Sequence, residues 1–397
     1  MMTTDNQDLR QEVEGRLRAL TGRLIETRRE FHRCPETAFK ETRTSQLIRD
    51  KLQSLSIPHE TVAGTGIIGR IDGKGAGPTI ALRADIDALP LEEENEVEYR
   101  SEHPGTMHAC GHDGHIAMLL AVAEVLAAIK DKLTGSIVLL FQPSEEMPPG
   151  GAPKLIEEGA LEGIDYIFGT HLWSPLPVGK VAVFHGTAMA ASDSFYIDIT
   201  GKGGHGSMPH ETIDPLTTAC QLVTALQTVV SRNVEPQQPA VVSVGTLHAG
   251  TEFNIIPDKV SLSGTVRCFD PGVRSLMKAR IERITEGICQ AAEAGHSLRY
   301  VSGYPSVIND SAATDVIQGI AEELLGADNV LEHKPVMGGE DFAYYLQRVR
   351  GSFFFTGAGN PAKGIDFPHH HPRFNIDEDA LIIGARIMVM AALKFLR

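Results

Sequence analysis

From residue 8 to 53 charged and apolar residues alternate at helical spacing, with Leu17, Leu20 and Leu24 in step, and Pro35 interrupts the run. The pattern predicts two helices separated by Cys34-Pro35-Glu36. Shorter apolar runs follow at 66–69 and 79–83, of the kind that form buried strands. A helical pattern after Gly114 runs from Ile116 to Ile129, then come a strand-like run at 136–141, a short helix at 153–158 and a strand at 166–168. Strands alternating with helices predict an α/β sheet covered on both faces.

The pattern changes character near residue 187. Strand 195–200, helix 215–230, strands 240–247 and 259–269, helix 273–294 and strand 297–301 succeed one another. That order, βαββαβ, is the ferredoxin-like plan, which closes on itself. The expected architecture is an α/β catalytic domain with a mixed central sheet, in two parts, 1–186 and 303–397. A ferredoxin-like domain, 187–302, is inserted between them, and a helix over 377–395 ends the chain.

Composition narrows the function classes. At 397 residues the chain exceeds the usual single-domain size. A net charge of −15 argues against nucleic acid and anionic membrane as partners, because both need a basic face. No run of 18 apolar residues occurs, so no membrane span is expected, and the polar N-terminus lacks the plan of a signal peptide. Five cysteines, odd in number and scattered, fit a reducing cytoplasm better than a disulfide framework.

The densest chemistry is His108-Ala109-Cys110-Gly111-His112-Asp113-Gly114-His115 at the mouth of a helix. Imidazole, thiolate and carboxylate are transition-metal ligands. Other polar groups sit where strands end: Asp85 and Asp87 after the strand at 79–83, Glu145-Glu146 after 136–141, and His171 after 166–168. Ligands of open α/β sheets gather beyond the carboxyl ends of the strands. Singly, each has an ordinary explanation as a turn residue, a solvated acidic pair or a core histidine; together they make a site the economical one. Of two neighbouring carboxylates, one can hold a metal while the other serves as base toward water. The run His369-His370-His371 adds further imidazoles. On the inserted domain, the glycine-rich turn Gly201–Pro209 carries His205, suited to a developing oxyanion, and Arg267 is suited to a substrate carboxylate; Asn254 lies on the same domain. Cys110 could instead be a nucleophile, its pKa lowered by the helix N-terminus. That use leaves the paired glutamates and the distant histidines without a task.

With these residues assembled, the chain resembles the aminoacylase, hippurate hydrolase and auxin-conjugate hydrolase branch of the dinuclear metallopeptidase superfamily. The resemblance runs nearly end to end, through Arg83–Pro90, His108–His115, Gln142–Glu146, Gly204–Pro209, Asn254–Pro257, Met337–Phe342 and His370–Phe374. It implies two divalent metal ions (Zn, Mn, Co or Ni), bridged by Cys110 and completed by His112, Glu146, His171 and His370. Here the superfamily pattern His-x-Pro selects His370 from the histidine run. The resemblance also implies Glu145 as general base, Asp87 orienting a ligand, His205 polarising the scissile carbonyl, and Asn254 and Arg267 holding substrate. The wider superfamily has a histidine where Asp85 stands, so Asp85 is not counted as a ligand. The implied protein is a cytoplasmic N-acyl-amino-acid amidohydrolase, a homodimer through its inserted lid domain. A dipeptidase or aminopeptidase of the same architecture, a Cys110 thiol hydrolase and a non-catalytic metal- or ligand-binding protein are the alternatives.

Overall fold

A computed structural model describes residues 4–397. In chain order the chain forms α1 (Thr4–Arg33), α2 (Thr42–Ser54), β1 (His59–Val62), β2 (Gly66–Asp72), β3 (Thr79–Asp85), α3 (His112–Ile129), β4 (Ser136–Gln142), α4 (Ala152–Glu157) and β5 (Tyr166–Pro177). Short strands β6 (Val181–Val183) and β7 (Thr187–Met189) lead to β8 (Ala191–Thr200), β9 (Gly204–His205), α5 (Pro215–Thr228), β10 (Ala240–Ala249) and β11 (Ile255–Ile256). Then follow β12 (Lys259–Cys268), α6 (Pro271–Ala291), β13 (Gly295–Ser302), β14 (Val307–Ile308) and α7 (Ser311–Leu325). The chain closes with β15 (Val330–Glu332), α8 (Ala343–Leu346), β16 (Arg350–Gly359) and α9 (Asp379–Phe395).

These elements fall into two compact units. One takes the chain up to Ala188 with Ile308–Lys334 and Asp341–Arg397, the other Met189–Val307 with Pro335–Glu340. The first is built on a mixed sheet in the order β1-β2-β4-β3-β5-β16-β6-β15. Its centre, β4-β3-β5-β16, is parallel, and β2 and β6 run antiparallel on either side. Every residue of β4, Ser-Ile-Val-Leu-Leu-Phe-Gln, is buried, as the sequence run requires of a strand covered on both faces. Helices α1, α3 and α9 pack on one another around Leu17, Leu24, Leu119, Val122, Leu381 and Val389.

Helix α3 positions the site and is held unusually close. Among the described residues it is long and apolar enough to cross a membrane, yet 83% of that stretch is buried in the unit, so its apolarity is that of a core helix. Gly114 in its first turn is the contact point: a Cβ there would lie 2.4 Å from Leu172 Cδ1 and 3.0 Å from Leu381 Cδ2. Gly114→Ala is expected to push α3 off β5 and lower stability by about 1–3 kcal/mol, read as a fall in the thermal unfolding midpoint.

The second unit is a four-stranded antiparallel sheet in the order β10-β12-β8-β13. Helices α5 and α6 cover one face, over Phe195, Ile197, Ile199, Leu222, Leu262 and Ile281. Alternation along β8 puts Phe195, Ile197 and Ile199 inside and Tyr196 and Thr200 outside, which is the period-two pattern of a half-buried strand.

Candidate metal centre

The carboxyl ends of β3 and β4, the middle of β5 and the first turn of α3 bring one constellation together. Gly111, in the left-handed region at φ 90°, turns the chain into α3, a conformation that glycine adopts without a Cβ penalty. That turn sets Cys110 and His112 on either side of it, both buried. Ligating atoms of Cys110, His112 and Glu146 lie within 4.8 Å of one another, as do those of Cys110, His171 and His369. Cys110 belongs to both groups.

The imidazoles are oriented before any ligand arrives. His112 Nδ1 donates to the Asp87 carbonyl at 2.9 Å, which leaves Nε2 facing inward. That Nε2 is buried with no hydrogen-bond partner, as is Glu146 Oε1, and the two are 3.8 Å apart. His171 Nδ1 donates to the Leu172 carbonyl at 2.8 Å, and its Nε2 faces Cys110 Sγ at 3.5 Å. A ring whose far nitrogen is anchored to a carbonyl is the usual posture of a metal-ligating histidine. His171 was expected beyond a strand ending at residue 168; β5 instead runs on to Pro177, so the ring is carried by the strand itself.

The three histidines of the run have different partners. His371 Nδ1 accepts from the Arg373 amide at 3.0 Å and its ring stacks on Phe367, so it is engaged elsewhere. His369 is packed against Trp173 and Phe374; its Nε2 accepts from the Ser174 amide at 3.2 Å, and Nδ1 lies 3.8 Å from Cys110 Sγ. With Nε2 taken as acceptor, Nδ1 carries the proton. His370 Nε2 meets Glu146 Oε2 at 3.3 Å.

Carboxylates dominate the field. Burial pushes the Cys110 thiol well above its usual value, and Glu146, Glu145 and Asp85 push it further. This overturns the lowered thiol pKa expected from a helix N-terminus, because burial and three nearby carboxylates outweigh one helix dipole. Burial alone would lower His112, but Asp85, Asp87 and Glu146 outweigh it and hold the ring up at about 10. Burial lowers His171 well below the ordinary histidine range and His369 to about 3. Orphaned Nε2 and Oε1 atoms, a shared thiol and an excess of carboxylate together fit divalent cations.

The glutamate pair is set by its backbone. The Glu145 and Glu146 amides each donate to the Asp87 carboxylate, to Oδ1 and Oδ2, at 3.0 Å. Asp87 therefore orients His112 through its carbonyl and the glutamates through its side chain. Glu146 turns toward Cys110, whereas the buried Glu145 has a carboxylate oxygen within 4.8 Å of one on Asp341. Asp85 makes a pair with His115 at 2.5 Å, and His115 Nε2 accepts from the Leu172 amide at 2.9 Å.

Sequence reasoning passed over a second tier. Arg83, fully buried in β3, donates to Asp85 at 2.6 Å, to Asp341 at 2.8 Å and to the Gln142 side-chain oxygen Oε1 at 2.9 Å. Its signal was present: a charged residue within an apolar buried strand must find partners. Arg83→Met would strand two buried carboxylates and is expected to cost about 3 kcal/mol, measured as a lower urea midpoint for unfolding. Likewise Asp113, next to His112, is held by Arg28 at 2.7 Å and by His32 at 2.8 Å, which ties α1 to the first turn of α3.

The remaining predicted residues lie on the second unit. His205 is exposed on β9, and its Nδ1 accepts from the Ser207 amide at 3.1 Å and pairs with the Ser207 hydroxyl at 2.9 Å. That assigns the ring proton to Nε2. The Asn254 carbonyl accepts from the Gly206 amide at 2.8 Å, so Asn254 and His205 share one loop cluster. Arg267 is half-buried on β12, with Nη1 bonded to the Val266 carbonyl at 3.0 Å and to the Thr265 hydroxyl.

The model of the Peptidase family M20/M25/M40 matches residues 81–394. The chain belongs to that family. It is 46% identical over 287 residues to an N-acyl-L-amino acid amidohydrolase of Geobacillus stearothermophilus, covering 72% of this chain and 78% of that one. It is 41% identical over 392 residues to thermostable carboxypeptidase 1 of Saccharolobus solfataricus, covering 98% and 99%. The crystal structure of the YXEP protein of Bacillus subtilis, described as a dinuclear metal binding peptidase from the M20 family, superposes with a TM-score of 0.81. There the identity is 36%, with 95% of this chain and 98% of that one covered. This M20 chain is a hydrolase of amide bonds.

Proposed function

We propose that the chain hydrolyses N-acyl amino acids, with acetyl, benzoyl or a similar aryl-acyl group, to a carboxylic acid and a free amino acid. The observation that carries this reading is the pair of anchored imidazoles, His112 and His171, whose Nε2 atoms face a shared Cys110 beside a backbone-clamped glutamate pair. Two divalent cations (Zn, Mn, Co or Ni) would be held by Cys110 between them and by His112, Glu146, His171 and His370. We assign His370 rather than His369 because the Ser174 amide already occupies His369 Nε2. Bound there, the cations supply Lewis acidity and make water a nucleophile at neutral pH.

The side chains do the rest. Glu145 takes a proton from the attacking water as the oxygen–carbon bond forms, then gives it to the amine nitrogen as the carbon–nitrogen bond breaks. His205 Nε2–H donates to the carbonyl oxygen as negative charge builds on it, and in this reading His205 serves the neighbouring subunit of a homodimer formed through the second unit. Arg267 and Asn254 hold the amino acid carboxylate. A cytoplasmic location belongs to the same proposal.

The relative named as a carboxypeptidase favours a second reading, peptide cleavage by the same machinery. The two part on substrate: N-acetyl- and N-benzoyl-amino acids against free dipeptides and tripeptides. The deciding experiment pairs metal analysis with hydrolysis of both panels before and after chelation. About two metals per chain, with N-acyl turnover lost on chelation and restored by divalent ions, supports the proposal. Turnover that survives full metal removal and dies on alkylation would move the chemistry to Cys110.

A further inference from the structure

Glu41 lies 103 residues before Ser144, yet it reaches the loop that carries Glu145 and Glu146. It stands just before α2 and its side chain is fully buried. Its Oε1 accepts from the Phe39 amide at 2.9 Å and the Ser144 amide at 3.0 Å, and its Oε2 from the Thr65 hydroxyl at 2.6 Å. Both amides belong to non-glycine residues in the left-handed region, Phe39 at φ 57° and Ser144 at φ 55°. Such backbone costs on the order of 1–3 kcal/mol and persists only where its surroundings over-determine it.

At Ser144 the surroundings are explicit. The amides of 144, 145 and 146 follow one another, the first bonded to Glu41 and the next two to Asp87. Two buried carboxylates thus grip three consecutive N–H groups, the arrangement by which a backbone concavity binds an anion. Here the anions belong to the protein, and what they fix is the direction in which Glu145 and Glu146 leave the backbone.

We propose that Glu41 is a positioning residue for the amide-hydrolysing site: its carboxylate holds the Ser144 amide and so completes the clamp that aims the glutamate pair. The inference rests on the role of Glu145 and Glu146 proposed above. Burial pushes the Glu41 carboxyl up to about 7; the bonds from Thr65 and the backbone work against that, and Asp87 adds to it. Asp87 is the charge facing it from the end of β3. Of the other charges packed around, Glu36 holds the Thr44 amide in the same turn, Lys154 of α4 lies over the Phe39 ring, and Glu158 holds the Ala63 amide. Near pH 7 the clamp is therefore partly protonated. A neutral acid binds an N–H more weakly than a carboxylate does, so the grip loosens as pH falls.

Glu41→Ala and Glu41→Gln separate positioning from mere folding. In metal-free protein at pH 8, Glu41→Ala is expected to speed amide hydrogen exchange in the peptide carrying Ser144 by about tenfold or more. In the loaded enzyme it is expected to lower kcat by about 100-fold with little change in KM. Glu41→Gln keeps an acceptor of the same shape but cannot ionise. Being neutral like the protonated acid, it should restore only part of the exchange protection and of kcat, and its kcat profile should lose the part of the acid limb near pH 7. Wild-type exchange at Ser144 in Glu41→Ala would overturn the proposal. So would a Glu41→Gln pH profile superimposable on the wild type, a result available even if the alanine variant fails to fold. The exchange measurement needs neither metal nor substrate. A wild-type enzyme inactive on N-acyl amino acids would therefore sink the substrate reading and leave the clamp to be judged by exchange alone.

Discussion

Glu145→Gln is expected to bind metal as the wild type does and to lose about 10⁴-fold in kcat. The two halves of that result come from different parts of the loop. Glutamine keeps the backbone of residue 145, whose amide is held by the Asp87 carboxylate at 3.0 Å, so Glu146 keeps its direction. Glu145 is absent from both ligating groups that contain Cys110, so the donor set is untouched. What glutamine removes is the only proton acceptor the proposed reaction has for the attacking water, and the same atom must later protonate the amine. Losing both transfers explains why the effect should fall at the upper end for general acid–base catalysis. Metal analysis beside turnover of an N-acetyl-amino acid checks it. Turnover within tenfold of the wild type would remove Glu145 from the base role, and a matching loss of metal would make it a ligand instead.

The alternation of strand and helix was legible because burial writes itself into sequence: the middle of β4, 137–141, is apolar throughout, β8 alternates, and α5 and α6 lie between their strands. The candidate residues at the ends of β3 and β4 were legible for a similar reason, since chemistry confined to one rim of a sheet leaves polar residues at the ends of apolar runs; His171 was not so placed, because β5 runs past it to Pro177. Orientation was not. Which nitrogen of His171 or His369 faces the thiol depends on the Leu172 carbonyl and the Ser174 amide, and no local pattern reveals such partners. Long-range charge was equally hidden. The thiol of Cys110 is governed by its burial and by carboxylates from two other segments rather than by its own helix. Glu41 offered no motif at all, because its importance lies in an amide about a hundred residues away. Arg83 was the exception: its position inside a buried strand announced a partner without saying which.

Cys110→Ala should abolish metal binding at both positions, whereas His171→Ala should cost about one equivalent. The argument is the sharing of ligands. Cys110 Sγ stands with His112 and Glu146 in one group and with His171 in the other, so its removal takes a donor from each group at once. His171 contributes to one group only, and its loss leaves Cys110 in place beside His112 and Glu146, whose bonds to Asp87 are intact. Alanine at 110 should also be well tolerated by the fold. The metal-free thiol is a small buried group held protonated by burial and by the surrounding carboxylates, and a protonated thiol behaves as a small hydrophobe. Stability of the metal-free protein should therefore change little while metal content and turnover vanish together. Titration with a divalent ion, read by calorimetry on wild type and both variants, decides the matter. A Cys110→Ala protein that still takes up two equivalents would show that the thiol bridges nothing, and the two groups would then have to be treated as separate sites.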